Sequence, residues 1–329
     1  MAITGPTGEI GRSVVRALER SRAVGRITGM ARRPFDPAEH GWKRTSYRQG
    51  NVLDRASVEG LVEGADVVVH LAFIIFGGHE ETHAINLEGS RNVFEAAAAA
   101  GTKRLVYTSS VAAYGFHHDN PEVLTEEIEP RGTDEFYYSA QKAELEGLLN
   151  EIVEGTSTDT YVFRPCIVAG PDAPMLIDNL TGDAGLPDPL RRVKPVLGAV
   201  PLLRPVLPDT GVPFQLVHHD DVATAVRAAV LGRGKPGVYN LAGDGTLTTG
   251  DLARELGWHT IPVPSKATAF AAHVATRAPF MPARASWLTA FRQPVLMDTS
   301  KARCELGWQP KHDSRETLRA LISARRRGR

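Results

Sequence analysis

The sequence predicts an α/β fold, a doubly wound parallel sheet with a smaller C-terminal lobe. Three observations point there. Short β-branched runs alternate with helical patterns through the first 165 residues, the order that builds parallel strands joined by right-handed helical crossovers. A Gly-x-x-Gly-x-x-Gly turn joins the first run to the first helical pattern. After Pro171 the character changes: prolines multiply and clear helical periods fade.

Taken in order, residues 27–31, 66–71, 104–108 and 160–164 read as strands. Several are apolar almost throughout, as expected of strands covered on both faces. Residues 9–20, 56–62, 81–100 and 136–153 read as helices. The strand before Thr4 has only three residues, which is short for the centre of a sheet. Residues 171–213 read as irregular loops and short helices; a strand (214–218), a helix (221–231) and a strand (238–241) then return. The Ala- and aromatic-rich stretch 265–291 reads as broken helices packed on the smaller lobe, with a membrane-surface helix as the alternative.

The 329 residues are 42% apolar and 23% charged, ordinary for a chain with a sizeable core. Lys plus Arg equals Asp plus Glu at 38 each, so net charge gives no reason to expect nucleic acid or an anionic membrane as partner. The basic end 325–329 reads as a solvated, frayed tail. Two cysteines, Cys166 and Cys304, make no disulfide framework and stand in no metal-ligand spacing. The N-terminus lacks a secretory pattern, and the most apolar stretch, 65–76, contains Asp66 and His70 and is too short to span a bilayer. The expectation is a cytoplasmic protein with no bound metal.

Gly5, Gly8 and Gly11 have the spacing of a phosphate-binding turn. The first glycine permits a sharp turn, the second lets backbone N–H groups approach a pyrophosphate, and the third lets the helix pack closely on the sheet. The helix N-terminus then points free N–H groups and partial positive charge at the phosphates. Thr7, Gly8, Glu9, Ile10 and Gly11 are therefore expected along the cofactor, with the Glu9 carboxylate turned to solvent. At the end of the second strand an acid would bond the ribose of NAD, but Arg32 and Arg33 stand there. Two guanidinium groups suit a 2′-phosphate, so NADP is preferred and NAD remains possible. Asn51, followed by Val52, suits an adenine-edge contact and an ordinary turn equally.

Tyr138 and Lys142 lie four residues apart, on one helix face. A phenol with an ordinary pKa near ~10 exchanges protons poorly at neutral pH, and an adjacent ammonium lowers that value. Tyr137 has Gln141 at the same spacing, so the pairing falls to Tyr138. Residues 106–115 form an apolar strand running into Thr108, Ser109 and Ser110. Ligands of open α/β sheets bind beyond such strand ends, where a hydroxyl can hold a substrate carbonyl or cap the next turn.

In this order, Thr4–Gly11, Val69-His70-Leu71-Ala72, Asn86-Leu87-Glu88-Gly89-Ser90, the 108–115 segment, Tyr138–Lys142, Arg164-Pro165, His218–Ala223 and Glu305–Pro310 resemble the extended short-chain dehydrogenase/reductase family, also called the NAD-dependent epimerase/dehydratase family. The resemblance implies a Rossmann-type NAD(P)-binding domain over residues 1–170. Residues 171–329 would be mainly a substrate-binding lobe, with segments around 214–241 returning to the first domain. It implies Tyr138 as general acid/base, Lys142 on the nicotinamide ribose and Ser110 on the substrate oxygen. Leu71, Ala72, Thr108, Pro165, Ile167 and Val168 would flank the cofactor, and Asn86 would be a structural or cofactor-side residue. Relatives commonly pair through the 81–100 and 136–153 helices, so a homodimer is an expectation.

Departures narrow the reading. Val111 and Ala112 stand where the family's sugar dehydratases carry an Asp-Glu pair, and Cys166 and Ile167 where many nucleotide-sugar enzymes carry an asparagine. The remaining pattern is similar to the carbonyl reductases and hydroxysteroid-type dehydrogenases of the family, with Phe73, Ile74, Ile75 and Phe76 as an apolar rim. The leading expectation is NADP(H)-dependent hydride transfer to or from a carbonyl/alcohol of a small, fairly apolar molecule. The alternatives are a nucleotide-sugar epimerase with tightly bound NAD(P), and a non-catalytic cofactor-sensing protein.

Overall fold

The computed structural model describes residues 1–75, 82–134, 136–175, 177, 205–263 and 293–327. The stretch 265–291, read above as broken helices, and Phe76 of the apolar rim lie outside the described residues. So does most of the segment following Pro171.

The main sheet has seven strands, all parallel: β1 (Ala2–Thr4), β2 (Ile27–Ala31), β3 (Thr45–Gln49), β4 (Val67–His70), β5 (Arg104–Thr108), β7 (Asp159–Pro165) and β11 (Gly237–Leu241). Their spatial order is β3-β2-β1-β4-β5-β7-β11. Chain order reverses between β1 and β4, and in an open parallel sheet such a reversal opens a crevice beyond the carboxyl ends of the two strands.

Helices cover both faces. On one side α1 (Glu9–Glu19) packs beside α5 (His219–Val230). Val14, Leu18, Val222 and Val226 there meet Ile3, Val69, Val106 and Phe163 from the sheet. On the other side lie α2 (Arg55–Val62), α3 (Gly89–Ala99) and α4 (Tyr137–Val153). Their Leu61, Phe94, Leu145 and Leu149 meet Ala2, Val68, Leu105 and Val162. Adjacent strand residues thus feed opposite cores, which is why β4 and β5 read as continuous apolar runs. The three residues of β1 suffice as a central strand because both neighbours pair with all of it, and Ala2, Ile3 and Thr4 are each fully buried.

The returning segments reach the sheet. β11 pairs with β7 from Gly237↔Tyr161 to Leu241↔Pro165. β10 (Leu216–His218) instead pairs with β8 (Ile167–Ala169), just past the end of β7. Two other short parallel pairs, β6 (Val123–Leu124) with β13 (Leu296–Met297) and β9 (Val206–Asp209) with β12 (His259–Pro262), lie outside the main sheet. Beside β9 and β12 packs α6 (Thr249–Leu256), opened by a Thr248/Asp251 capping box and closed by Gly257 in the left-handed conformation.

The chain ends in α7 (Ser300–Leu306) and α8 (Ser314–Arg327). Of the basic end 325–329, read above as a frayed tail, residues 328–329 lie outside the described residues, and the rest is exposed or half-buried helix rather than frayed chain. Arg325–Arg327 continue α8, where cations suit the carbonyl end of a helix. Arg326 Nη2 donates to Glu255 O at 3.0 Å.

Among the described residues no helix is long and apolar enough to cross a membrane.

Candidate active site

The glycine turn lies at the β1/β4 reversal. Gly5 has φ 68°, and a Cβ on it would meet Ala72 N at 2.9 Å. A Cβ on Gly11 would collide with the Gly5 carbonyl oxygen. Gly8, the exposed N-cap of α1, makes no side-chain cap, and its Cβ would meet only Gly5 O, at 3.4 Å. Two glycines are thus required by close backbone approach, while the third leaves its outer side open, next to the N–H groups at the head of α1 that have no intrahelical acceptor. That cradle fits a dinucleotide pyrophosphate.

Thr4 and His70 hold the turn against β4. Thr4 Oγ1 accepts from Ala72 N at 3.2 Å and hydrogen-bonds His70 Nδ1 at 2.7 Å, while His70 Nε2 hydrogen-bonds Ser90 Oγ at 2.9 Å. Burial pushes the His70 imidazole down to about 3, so the ring is neutral. The histidine of Val69-His70-Leu71-Ala72 is a buried tie between β1, β4 and α3.

Glu9 departs from expectation. Half-buried, its carboxylate accepts from Met175 N at 3.0 Å, joining the head of α1 to the chain after β8. Arg32 and Arg33 are exposed at the end of β2. Asn51 Oδ1 accepts from Leu53 N at 3.2 Å, within the turn after β3. Val52 is buried against Gly89, and its carbonyl accepts from Asn92 Nδ2 at 2.9 Å.

Asn86, wholly buried, lies in a single π-helical turn (Ala84–Glu88) leading into α3. Its Oδ1 accepts from Ile74 N at 2.9 Å, and its Nδ2 donates to Ile74 O at 2.8 Å and to Gln141 Oε1 at 2.9 Å. Of the two roles expected for Asn86, this is the structural one. It clamps the segment after β4 to α4, and Tyr137 adds a bond from its hydroxyl to Ile75 O.

Ser110, Tyr138 and Lys142 come together past the carboxyl end of β5. Ser110 caps a short 3-10 turn (Val111–Tyr114), its Oγ accepting from Ala112 N at 3.2 Å. The same side chain hydrogen-bonds the Tyr138 phenol. One helical turn further along α4, Lys142 Nζ donates to Thr108 O at 2.9 Å and to Tyr107 Oη at 3.1 Å, and its ammonium lies 3.7 Å from the centre of the Phe73 ring. Thr108 Oγ1 is buried beside it without a partner. Phe73 meets Tyr138 edge-on, and Phe136, Phe116, Ile75 and Tyr137 pack around them.

This apolar shell changes the expected electrostatics. Burial pushes Tyr138 up to about 12, eased by the bond from Ser110, and pushes Lys142 down to about 7, offset by the charge of Glu146. Desolvation disfavours both charged forms. The ammonium therefore does not depress the phenol in this arrangement.

Glu146 was not singled out from the sequence, and Arg164 only as part of the family resemblance, yet the two brace the site from behind. Glu146 accepts from Ser109 Oγ at 2.5 Å and is paired by Arg164 through Nε at 3.0 and 3.1 Å and through Nη2. Pro165, Ile167 and Val168 follow Arg164 at the carboxyl end of β7. A separate group, His218, His219 and Asp220, brings three possible ligand atoms within 4.8 Å of one another. The ring nitrogens of His219 are already engaged, by Ser13 Oγ at 2.7 Å and Asp172 N at 3.1 Å.

Sheet order, glycine cradle and buried Tyr–Lys pair define a dinucleotide-binding α/β enzyme. The family model described as the NAD dependent epimerase/dehydratase family matches residues 1–242, and the chain belongs to that family. It is an NAD(P)-dependent enzyme of the extended short-chain dehydrogenase/reductase type. Protein y4nG of Sinorhizobium fredii is 25% identical over 324 residues, covering 96% of this chain and 76% of that one. Sterol demethylase protein B of Methylococcus capsulatus is 31% identical over 179 residues, covering 51% of each chain. Human 3 beta-hydroxysteroid dehydrogenase type 7 is 36% identical over 126 residues, covering 34% of this chain and 33% of that one. Among solved structures, gox2253 superposes with a TM-score of 0.73 at 22% identity, covering 99% of this chain and 98% of that one. UDP-glucuronic acid 4-epimerase from Bacillus cereus, in complex with NAD, does so with 0.72 at 18%, with the same coverage. These two likenesses show the shared fold.

Proposed function

We propose that the protein transfers a hydride between NADP(H) and a carbonyl/alcohol of a small, fairly apolar substrate, with Tyr138 as acid/base. The observation that carries this reading is the meeting of Ser110, Tyr138 and Lys142 beneath an aromatic shell, past the carboxyl end of β5. The turn from Gly5 to Gly11 would hold the pyrophosphate, with Thr7 and Ile10 beside it. Leu71, Ala72, Thr108, Pro165, Ile167 and Val168 would border the nicotinamide half, and Lys142 would take a ribose hydroxyl. Residues 1–170 would form the cofactor domain and most of the remainder the substrate lobe.

When bound, the nicotinamide supplies or accepts the hydride. In reduction Tyr138 passes its proton to the substrate oxygen while Ser110 hydrogen-bonds that oxygen. A phenol pushed up to about 12 is protonated at neutral pH, the form that donates in carbonyl reduction, although it is a weaker acid than an ordinary phenol. For oxidation the phenol must first lose its proton, which its apolar surroundings oppose. Phe73, Ile75, Phe116 and Phe136 would exclude water and favour an apolar substrate. The partial matches to sterol demethylase protein B and to 3 beta-hydroxysteroid dehydrogenase type 7 support the same substrate class.

The test is a panel of hydroxysteroids, cyclic ketones and UDP-sugars with NADP(H) and NAD(H), run on wild type and Tyr138→Phe. Reduction or oxidation of an apolar member, lost in the variant, is expected. Conversion of a UDP-sugar with no net change in nicotinamide absorbance would identify an epimerase instead.

A further inference from the structure

Tyr138, Lys142 and Glu146 follow one another at intervals of four residues on α4, so they share one face of the helix. That face is turned inward: all three are buried, and the Glu146 side chain is only 4% exposed. A carboxylate so placed is unusual unless paired. Its partner, Arg164, projects from β7 with a side-chain exposure of 3%. Its guanidinium also stacks 4.4 Å from the centre of the Tyr114 ring. Through Ser109 the same carboxylate reaches the end of β5, where Ser109 N is fixed to Phe163 O of β7 at 2.7 Å. One side chain therefore joins the three elements that carry Ser110, the Tyr–Lys pair and Pro165.

We propose that Glu146 is a positioning residue that keeps Lys142 in its ammonium form, and that Arg164 and Ser109 fix the carboxylate for that task. This rests on the assignment of Lys142 to the catalytic centre. The surroundings of Lys142 leave the work to Glu146. β4 contributes His70, which burial keeps neutral. β5 contributes the Tyr107 hydroxyl, whose acidity burial weakens further, and the Thr108 carbonyl. The segment after β4 contributes the Phe73 ring. On α4 itself stand Tyr138, protonated, and Glu146. Arg164 of β7 binds the same carboxylate. Glu146 is thus the anion that opposes the desolvation of Lys142, whose value is already down to about 7.

The test reads Lys142 directly in the ligand-free full chain. Lysine labelled with carbon-13 at Cε is titrated by NMR, and the Lys142 signal is assigned by its loss in Lys142→Arg. In Glu146→Gln the acceptor for Ser109 survives and the charge does not. The midpoint should then fall by about one pH unit, cutting the charged fraction at neutral pH about five-fold. If Arg164, left unpaired, prevents that variant from folding, the double variant Glu146→Gln/Arg164→Met removes both charges and should show a lowered midpoint as well. A folded variant of either kind that titrates at the wild-type midpoint overturns the proposal. Because the readout is a titration without substrate, this outcome is separate from the activity of Tyr138→Phe, on which the functional reading stands.

Discussion

The ammonium nitrogen of Lys142 lies 3.7 Å from the centre of the Phe73 ring. The ring's electron-rich face attracts the cation, yet the same ring keeps water from it. Burial wins, since the Lys142 value is pushed down to about 7. Replacing Phe73 by Ala should let water in and move the Lys142 midpoint upward. The carbon-13 titration checks this, and a midpoint that stays or falls would show that the ring's attraction outweighs its shielding.

A lysine with a depressed folded-state value leaves a mark on stability. Between about 7 and the unfolded value near ~10.4, the unfolded chain binds a proton that the folded chain does not. Stability from this group therefore rises with pH across that window, and the full penalty applies below it. Urea midpoints of wild type and Lys142→Met should differ most in the variant's favour on the acid side of neutrality, and the difference should shift toward wild type as pH rises to ~10. A difference independent of pH would contradict the assigned shift.

The glycines make opposite predictions. Gly11→Ala forces a Cβ onto the Gly5 carbonyl oxygen and within 2.8 Å of Pro6 C, backbone atoms that cannot swing aside. It should cost about 1–3 kcal/mol and abolish cofactor binding. Gly147 is exposed on α4, and a Cβ added there would have nothing within 4 Å. Gly147→Ala should stabilise by roughly 0.5–1 kcal/mol through helix propensity alone. Chemical denaturation of both variants, with calorimetric titration of the dinucleotide, checks the pair.

Arg32 and Arg33 are exposed at the end of β2. If they receive the 2′-phosphate, each Arg→Ala change should weaken NADP binding about ten-fold, as expected for a lost charge-assisted bond, and leave NAD binding unaltered. Equal effects on both dinucleotides would remove the basis for an NADP preference.

The parts of this molecule legible in the sequence are those with local causes. Strand–helix alternation, the glycine spacing and the four-residue step from Tyr138 to Lys142 each lie within one element or one turn. What stayed hidden depends on contacts between distant segments. Glu9 meets the backbone of Met175 across 166 residues, and Asn86 grips Ile74 only because a π-helical turn aims it there. The Glu146–Arg164 pair leaves a trace that can be followed. A glutamate falls on the buried face of α4, four residues past Lys142, and an arginine interrupts the apolar run of β7. Each alone reads as an oddity, and together they are two charges that must find each other. The protonation of the Tyr–Lys pair runs against the expectation for a simpler reason. Sequence spacing shows the neighbouring ammonium but not the aromatic shell that excludes water.

The most direct measurement is rapid mixing of the NADPH-bound protein with an apolar ketone it reduces, following nicotinamide absorbance in wild type and Tyr138→Phe while calorimetry monitors NADPH affinity. The account predicts that the variant binds NADPH as wild type does and oxidises it at least a hundred-fold more slowly, about what a positioned proton donor contributes. Oxidation at the wild-type rate by a variant lacking the hydroxyl would contradict it.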